Sequence, residues 1–136
     1  MEERADGLVL VNSASESRLL FPATMTNFED RLVWLASEVN RLISHHGPFD
    51  RVCVKHSEFT RAGATLAGRE SAGLDATVLL VARQHQLPAE RILYTPLGSR
   101  RDDAKTDAEA RVGRTTKYWD IAMADAVLAA THGFNP

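Results

Sequence analysis

The chain carries a single cysteine, Cys53, so it has no intrachain disulfide framework, and the expected compartment is a reducing one, the cytoplasm. Cys53 lies in a short apolar run and reads as a small buried core residue. No signal-peptide pattern and no apolar run long enough to span a bilayer is present, so no membrane partner is expected. Neither sign of charge is in excess, with 16 basic against 18 acidic residues. That balance argues against a general nucleic-acid binder and leaves room only for a local basic patch. Gly63, Gly68 and Gly73 fall at a five-residue spacing that matches neither a dinucleotide fingerprint nor a P-loop. Internal repeats and low-complexity segments are absent too. What remains is a chain of 136 residues, 44% hydrophobic and 25% charged, the composition of one ordinary globular domain spanning 1–136.

Leu8–Val11 and Arg18–Phe21 read as two short strands of a hairpin, separated by a turn-rich stretch and stopped by Pro22. Thr26 or Asn27 can cap a helix in which Phe28, Leu32, Leu35, Val39, Leu42 and Ile43 recur at helical spacing, and Gly47-Pro48 ends it. Val52–Val54 is a further strand. A Gly- and Arg-rich stretch follows, then a helix over Leu74–Gln86, a strand at Ile92–Tyr94, a polar segment from Ser99 to Lys117, and an Ala-rich helix over Tyr118–Thr131. The order β-β-α-β-α-β-α argues a mixed α/β sheet with helices on its faces.

Sites in α/β proteins form beyond the carboxyl ends of strands, which directs attention to Lys55-His56-Ser57-Glu58. A cation and an imidazole come first there. His56 and Glu58 share one strand face by alternation and form a candidate acid–base pair, but no nucleophile is evident nearby. His45 and His46 close a helix, where imidazolium suits the dipole. Trp34 falls just off its helix stripe, and Trp119 sits in a polar setting. Aromatics so placed often anchor partners, so a homodimer is an open expectation.

Three passages resemble the RuvC resolvase branch of the RNase H-like superfamily, and in particular a group of small bacterial proteins of that fold. They are Val52-Cys53-Val54 with Gly68-Arg69-Glu70-Ser71-Ala72-Gly73-Leu74, Leu87-Pro88 with Ile92-Leu93-Tyr94-Thr95-Pro96, and Ala124-Asp125-Ala126-Val127-Leu128-Ala129-Ala130-Thr131-His132. The resemblance runs from about Phe28 to His132. It implies an RNase H-like mixed sheet flanked by helices, and a site where four carboxylates hold two divalent cations. The acid expected on the first strand is replaced by Asn12 if Leu8–Val11 is that strand; otherwise that strand is missing. Lys55 stands at the position of the fourth-strand acid. Exchanging a carboxylate for an ammonium about 5 Å from a dication is unfavourable by on the order of 10 kcal/mol at an effective dielectric near 20. On the last helix the resemblance leaves Asp125, with Asp120 before it, and a salt bridge between Lys55 and Asp125 would repair such a site.

The leading expectation is therefore a degenerate nuclease domain that acts without catalysis, binding itself, another protein, or DNA or RNA. Lys55, Arg61, Arg69, Arg100 and Arg101 are its candidate phosphate contacts, joined by Arg111, Arg114 and Lys117. Asp102, Asp103, Asp107 and Glu109 are interleaved with them and weaken that field. A divergent nuclease is the alternative, using Glu58, Asp120 and Asp125 with Mg²⁺ or Mn²⁺. A pure protein-interaction scaffold without nucleic acid or metal is the third reading.

Overall fold

The computed structural model describes residues 1–57 and 65–134 and divides into two compact units. One comprises residues 19–91; the other joins residues 1–18 to the segment that begins at Ile92.

In the unit of residues 19–91, helix α1 (Phe28–His46) begins where Asn27 Oδ1 accepts the Asp30 N–H at 2.8 Å. Glu29 and Asp30 lie in its first turn and His45 and His46 in its last, the arrangement the helix dipole favours. The expected stripe is the buried one. Leu35 and Val39 meet Val81 of helix α2 (Leu66–Gln84), with Trp34, Ile43, Leu74 and Val78 packed around them. Each such side chain removed from water contributes roughly 1.5–3 kcal/mol. Helix α2 starts a full two turns before the expected Leu74. Thr65 Oγ1 accepts the Gly68 N–H at 3.1 Å, and this cap carries the helix through Gly68 and Gly73. Gly73 allows the two helices to approach, because a Cβ there would stand 2.7 Å from Phe28 Cζ.

Arg18–Phe21 is not a strand. Leu19 and Phe21 instead turn onto the α1–α2 core, Phe21 tilting against Trp34 with ring centroids 5.2 Å apart. Trp34 is thus a packing residue, half-buried rather than free. Strands β3 (Val52–Lys55) and β4 (Ala89–Ile92) pair on either side of α2 in sequence. The Val52 N–H donates to Pro88 O at 2.9 Å, joining the two strand beginnings, so the pair is parallel and α2 is its crossover.

In the other unit, β1 (Glu2–Arg4) and β2 (Gly7–Val9) form an antiparallel hairpin in the register Glu2 to Val9, Glu3 to Leu8 and Arg4 to Gly7. Gly7 has φ +118°, which only glycine adopts freely. The hairpin therefore lies earlier in the chain than its expected place at Leu8–Val11 and Arg18–Phe21. Tyr94–Leu97 is a helical turn, α3, rather than the end of a strand. Helix α4 (Ala104–Val112) occupies part of the polar segment, and α5 (Ile121–His132) follows. Ala104 and Ala108 of α4 and Ala124, Leu128 and Ala129 of α5 are fully buried where these two helices pack. Among the described residues no helix is long and apolar enough to cross a membrane.

Candidate functional site

Strand β3 ends in a compact polar cluster. Asp75 projects from α2, and its Oδ2 accepts the Ser57 backbone N–H at 2.9 Å and the His56 ring at 3.2 Å. A carboxylate can only accept, so His56 Nδ1 carries the hydrogen and Nε2 is the ring position left for other chemistry. Both side chains are largely buried, 21% exposed for His56 and 15% for Asp75. The Lys55 ammonium donates to the His56 carbonyl at 2.8 Å. Two potential cations thus crown the strand, and Asp75 is committed to orienting the imidazole and fixing the turn. One strand turn earlier, Cys53 Sγ points at Glu90 Oε1, 3.7 Å away on β4, and Arg51 lies 3.7 Å from the same oxygen. Burial first, then the Glu90 carboxylate, push the Cys53 thiol up to about 11.

Helix α5 carries both remaining candidate acids, and they do different things. Asp120 is the N-cap: its Oδ1 accepts the Met123 N–H at 2.9 Å, and its Oδ2 lies 3.6 Å from Arg18. Asp125 is half-buried one turn and more later, and the Tyr94 hydroxyl of α3 reaches both of its oxygens, at 2.7 and 2.9 Å. The two acids face different partners. Among the described residues no group of three or more His, Cys, Asp or Glu side chains gathers as a metal centre would need.

Of the candidate phosphate contacts, Arg69 is exposed on the first turn of α2, and Arg100 and Arg101 are exposed ahead of α4. Arg111 is used internally, donating to Leu97 O at 2.6 Å, and Arg114 lies 3.8 Å from Glu109. Glu58 and Arg61 lie outside the described residues. The proposed His56–Glu58 partnership falls there as well; the described partner of His56 is Asp75.

Reading the residues in order missed Asp75, Tyr94 and Glu16. A signal existed for Asp75: an acid set beside Leu74 and Val78, on the apolar side of its helix, calls for a polar partner across the packing surface. Glu16 is 7% exposed, and its Oε1 accepts the N–H groups of Lys117 and Tyr118 at 2.5 and 2.6 Å. Nothing in the local pattern of Asn12–Ser17 singles it out.

Searches with the sequence find no matching family model and no matching curated protein. Solved structures do match in shape. The structure of Thermus thermophilus RuvC in complex with Holliday junction substrate superposes with TM-score 0.66 at 16% identity, over 86% of this chain and 75% of that one. A second Thermus thermophilus RuvC structure gives 0.65 at 15%, over 86% and 74%. The chain has the RuvC fold. The RNase H-like α/β architecture expected from the three resembling passages is therefore correct, with the described strands arranged as two two-stranded sheets, β1-β2 and β3-β4. Identity this low carries the fold and nothing of the RuvC chemistry.

Proposed function

We propose that this RuvC-like domain binds nucleic acid without cutting it. The observation that carries this reading is the end of β3, where Lys55 and His56 present an ammonium and an imidazole, and Asp75 is tied to Ser57 and His56. A pair of divalent ions needs anions converging there, and these residues do not fit such a pair. Asp120 is spent on capping α5 and Asp125 already accepts from Tyr94. The same groups suit a phosphate: Lys55 as a cation, His56 as a donor when protonated, with Arg69 exposed in the same unit; in the other unit, Arg100 and Arg101 are exposed and are candidate contacts of their own. That a structural neighbour holds a Holliday junction supports DNA as the partner to try first.

The test is fluorescence anisotropy of labelled four-way junction, duplex and single-stranded DNA across a salt series. The expected result is binding whose affinity falls linearly with the logarithm of salt, with Lys55→Gln and Arg69→Gln each weakening it and flattening the slope by about one charge. Absence of binding to any of them at 50 mM salt would end this reading in favour of a protein scaffold. On that alternative, Val33 (72% exposed on α1) and Leu20 (68%) are the apolar groups a second copy would cover.

A second reading retains a single divalent ion, Mg²⁺ or Mn²⁺, on Asp125. Its support is the placement of Asp125, a half-buried acid on the last helix whose orientation Tyr94 fixes. Metal-dependent DNA cleavage lost in Asp125→Asn is the outcome that would select it.

A further inference from the structure

We infer that the cavity lined by β2, α3 and the last turns of α4 and α5 binds a small carboxylate that carries an apolar body. The cavity has a volume of about 390 Å³ and lies wholly within the unit formed by residues 1–18 and the segment from Ile92 onward. Leu8, Pro96, Leu97, Arg111, Thr131 and His132 line it. The helix pattern explains why two basic side chains come here. Ala104 and Ala108 are the buried residues of α4, which packs on α5, and Arg111 is the next residue on that i, i+4, i+7 stripe. On α5, His132 continues the stripe of buried Ala124 and Leu128. Two small, apolar stripes thus end in a guanidinium and an imidazole that share one cavity. Arg111 is exposed and His132 half-buried, so a ligand entering from solvent meets both.

The guanidinium is held in place before any ligand arrives. Arg111 Nη2 donates to Leu97 O at 2.6 Å, which leaves its other N–H groups for a second acceptor. The acids of its own helix are directed elsewhere: Asp107 accepts from the Ser99 hydroxyl, and Glu109 lies 3.8 Å from Arg114. The His132 imidazole carries an N–H in either charge state, so it can donate to an anion on both sides of its titration. The Thr131 hydroxyl donates to Leu128 O at 2.7 Å, so its hydrogen is committed and adds nothing to the site. Leu8, Pro96 and Leu97 supply the apolar wall. Positive charge in a last helical turn suits the dipole and accounts for the sign of both residues. It does not account for their sharing a cavity with three apolar side chains. A cation is repelled from such a lining. A planar guanidinium matches a carboxylate at two points, whereas inorganic phosphate would meet the donors and leave the apolar wall in water. The volume is at the small end for ligand sites and suits a ligand of roughly ten to fifteen non-hydrogen atoms.

The experiment is a ¹H–¹⁵N correlation titration of the full chain with hydrocinnamate at neutral pH, in the absence of nucleic acid and so independent of any binding to it. The expected result is saturable shifts at the amides of Leu97, Arg111 and His132. Hydrocinnamyl alcohol keeps the body without the charge and should bind roughly tenfold more weakly. Acetate and inorganic phosphate lack the body and should be weaker by roughly the same factor. Arg111→Gln should weaken hydrocinnamate roughly tenfold. His132→Phe keeps a ring in place, leaves the bond from Arg111 to Leu97 O intact and should weaken it roughly fivefold, so the inference is tested even if Arg111→Gln fails to fold. Equal response to hydrocinnamate and its alcohol, equal response to phosphate, unchanged binding in His132→Phe, or no saturation would overturn it and leave Arg111 as a cap on the end of α3.

Discussion

The Tyr94 hydroxyl bridges both carboxylate oxygens of Asp125, at 2.7 and 2.9 Å, and so ties the short helix after β4 to the last helix of the chain. A phenol sharing one hydrogen across a half-buried carboxylate fixes that acid in one orientation. Tyr94→Phe keeps the ring and removes the donor. It should lower stability by about 1.5–3 kcal/mol, the usual range for a bond to a charged acceptor, read from urea unfolding at constant m-value. No change would mean that the bridge is not formed in solution.

Asp75 should matter more than its place within a helix suggests. One oxygen accepts from both Ser57 and His56, so Asp75→Ala strands two donors at the end of β3. Urea unfolding should show a loss of about 1–3 kcal/mol, with Asp75→Asn losing less because an acceptor remains. Equal losses in the two variants would show that packing, not hydrogen bonding, is what Asp75 supplies.

At Gly73 the ordinary preference of helices should be reversed. Alanine in a helix interior normally gains about 1 kcal/mol over glycine, but here its Cβ would press on Phe28 Cζ at 2.7 Å. Gly73→Ala should therefore destabilise, and it should stabilise once Phe28→Ala has cleared the space. A double-mutant cycle measures this directly; additive effects would contradict the close approach of α1 and α2.

Glu16 should give the stability an acid limb. Its folded carboxyl titrates below the ordinary value of 4.5, so its contribution is complete above that pH and is lost as pH falls through the folded value. Wild type should exceed Glu16→Gln in stability at pH 7, and the gap should close progressively below pH 4.5. A gap independent of pH would show that the charge is not what the Lys117 and Tyr118 amides bind.

Cys53 should be a poor nucleophile. With its thiol pushed up to about 11, only about one molecule in a thousand is thiolate at pH 8. Native protein should react with a disulfide reagent at least tenfold more slowly than protein unfolded in urea. Comparable rates would mean that β3 opens readily.

Much of the fold was legible because long apolar periodicities dominate local noise. The stripe through Leu35 and Val39 located α1, and Asn27 with its two following acids marked the start. The failures have physical causes. Glu2–Arg4 has no apolar residue to announce a strand, and it pairs only because Gly7 supplies the turn. Leu19 and Phe21 alternate like a strand but bury their side chains against α1. The start of α2 was hidden by glycines whose reason, the Phe28 ring, is a tertiary contact. That error concealed the site as well: with α2 begun at Leu74, Asp75 looks like an ordinary first-turn acid, whereas in the true helix it stands mid-length, facing the end of β3. Lys55 and His56 were found because a strand end points to them, and their partner was not because it comes from another element.

The most direct measurement incubates the full chain with labelled four-way junction DNA in Mg²⁺ or Mn²⁺ and resolves the strands on a denaturing gel. The expected result is retarded but intact DNA at every metal concentration. Metal-dependent nicks that disappear in Asp125→Asn would contradict it, and would show that this RuvC-like domain still cuts.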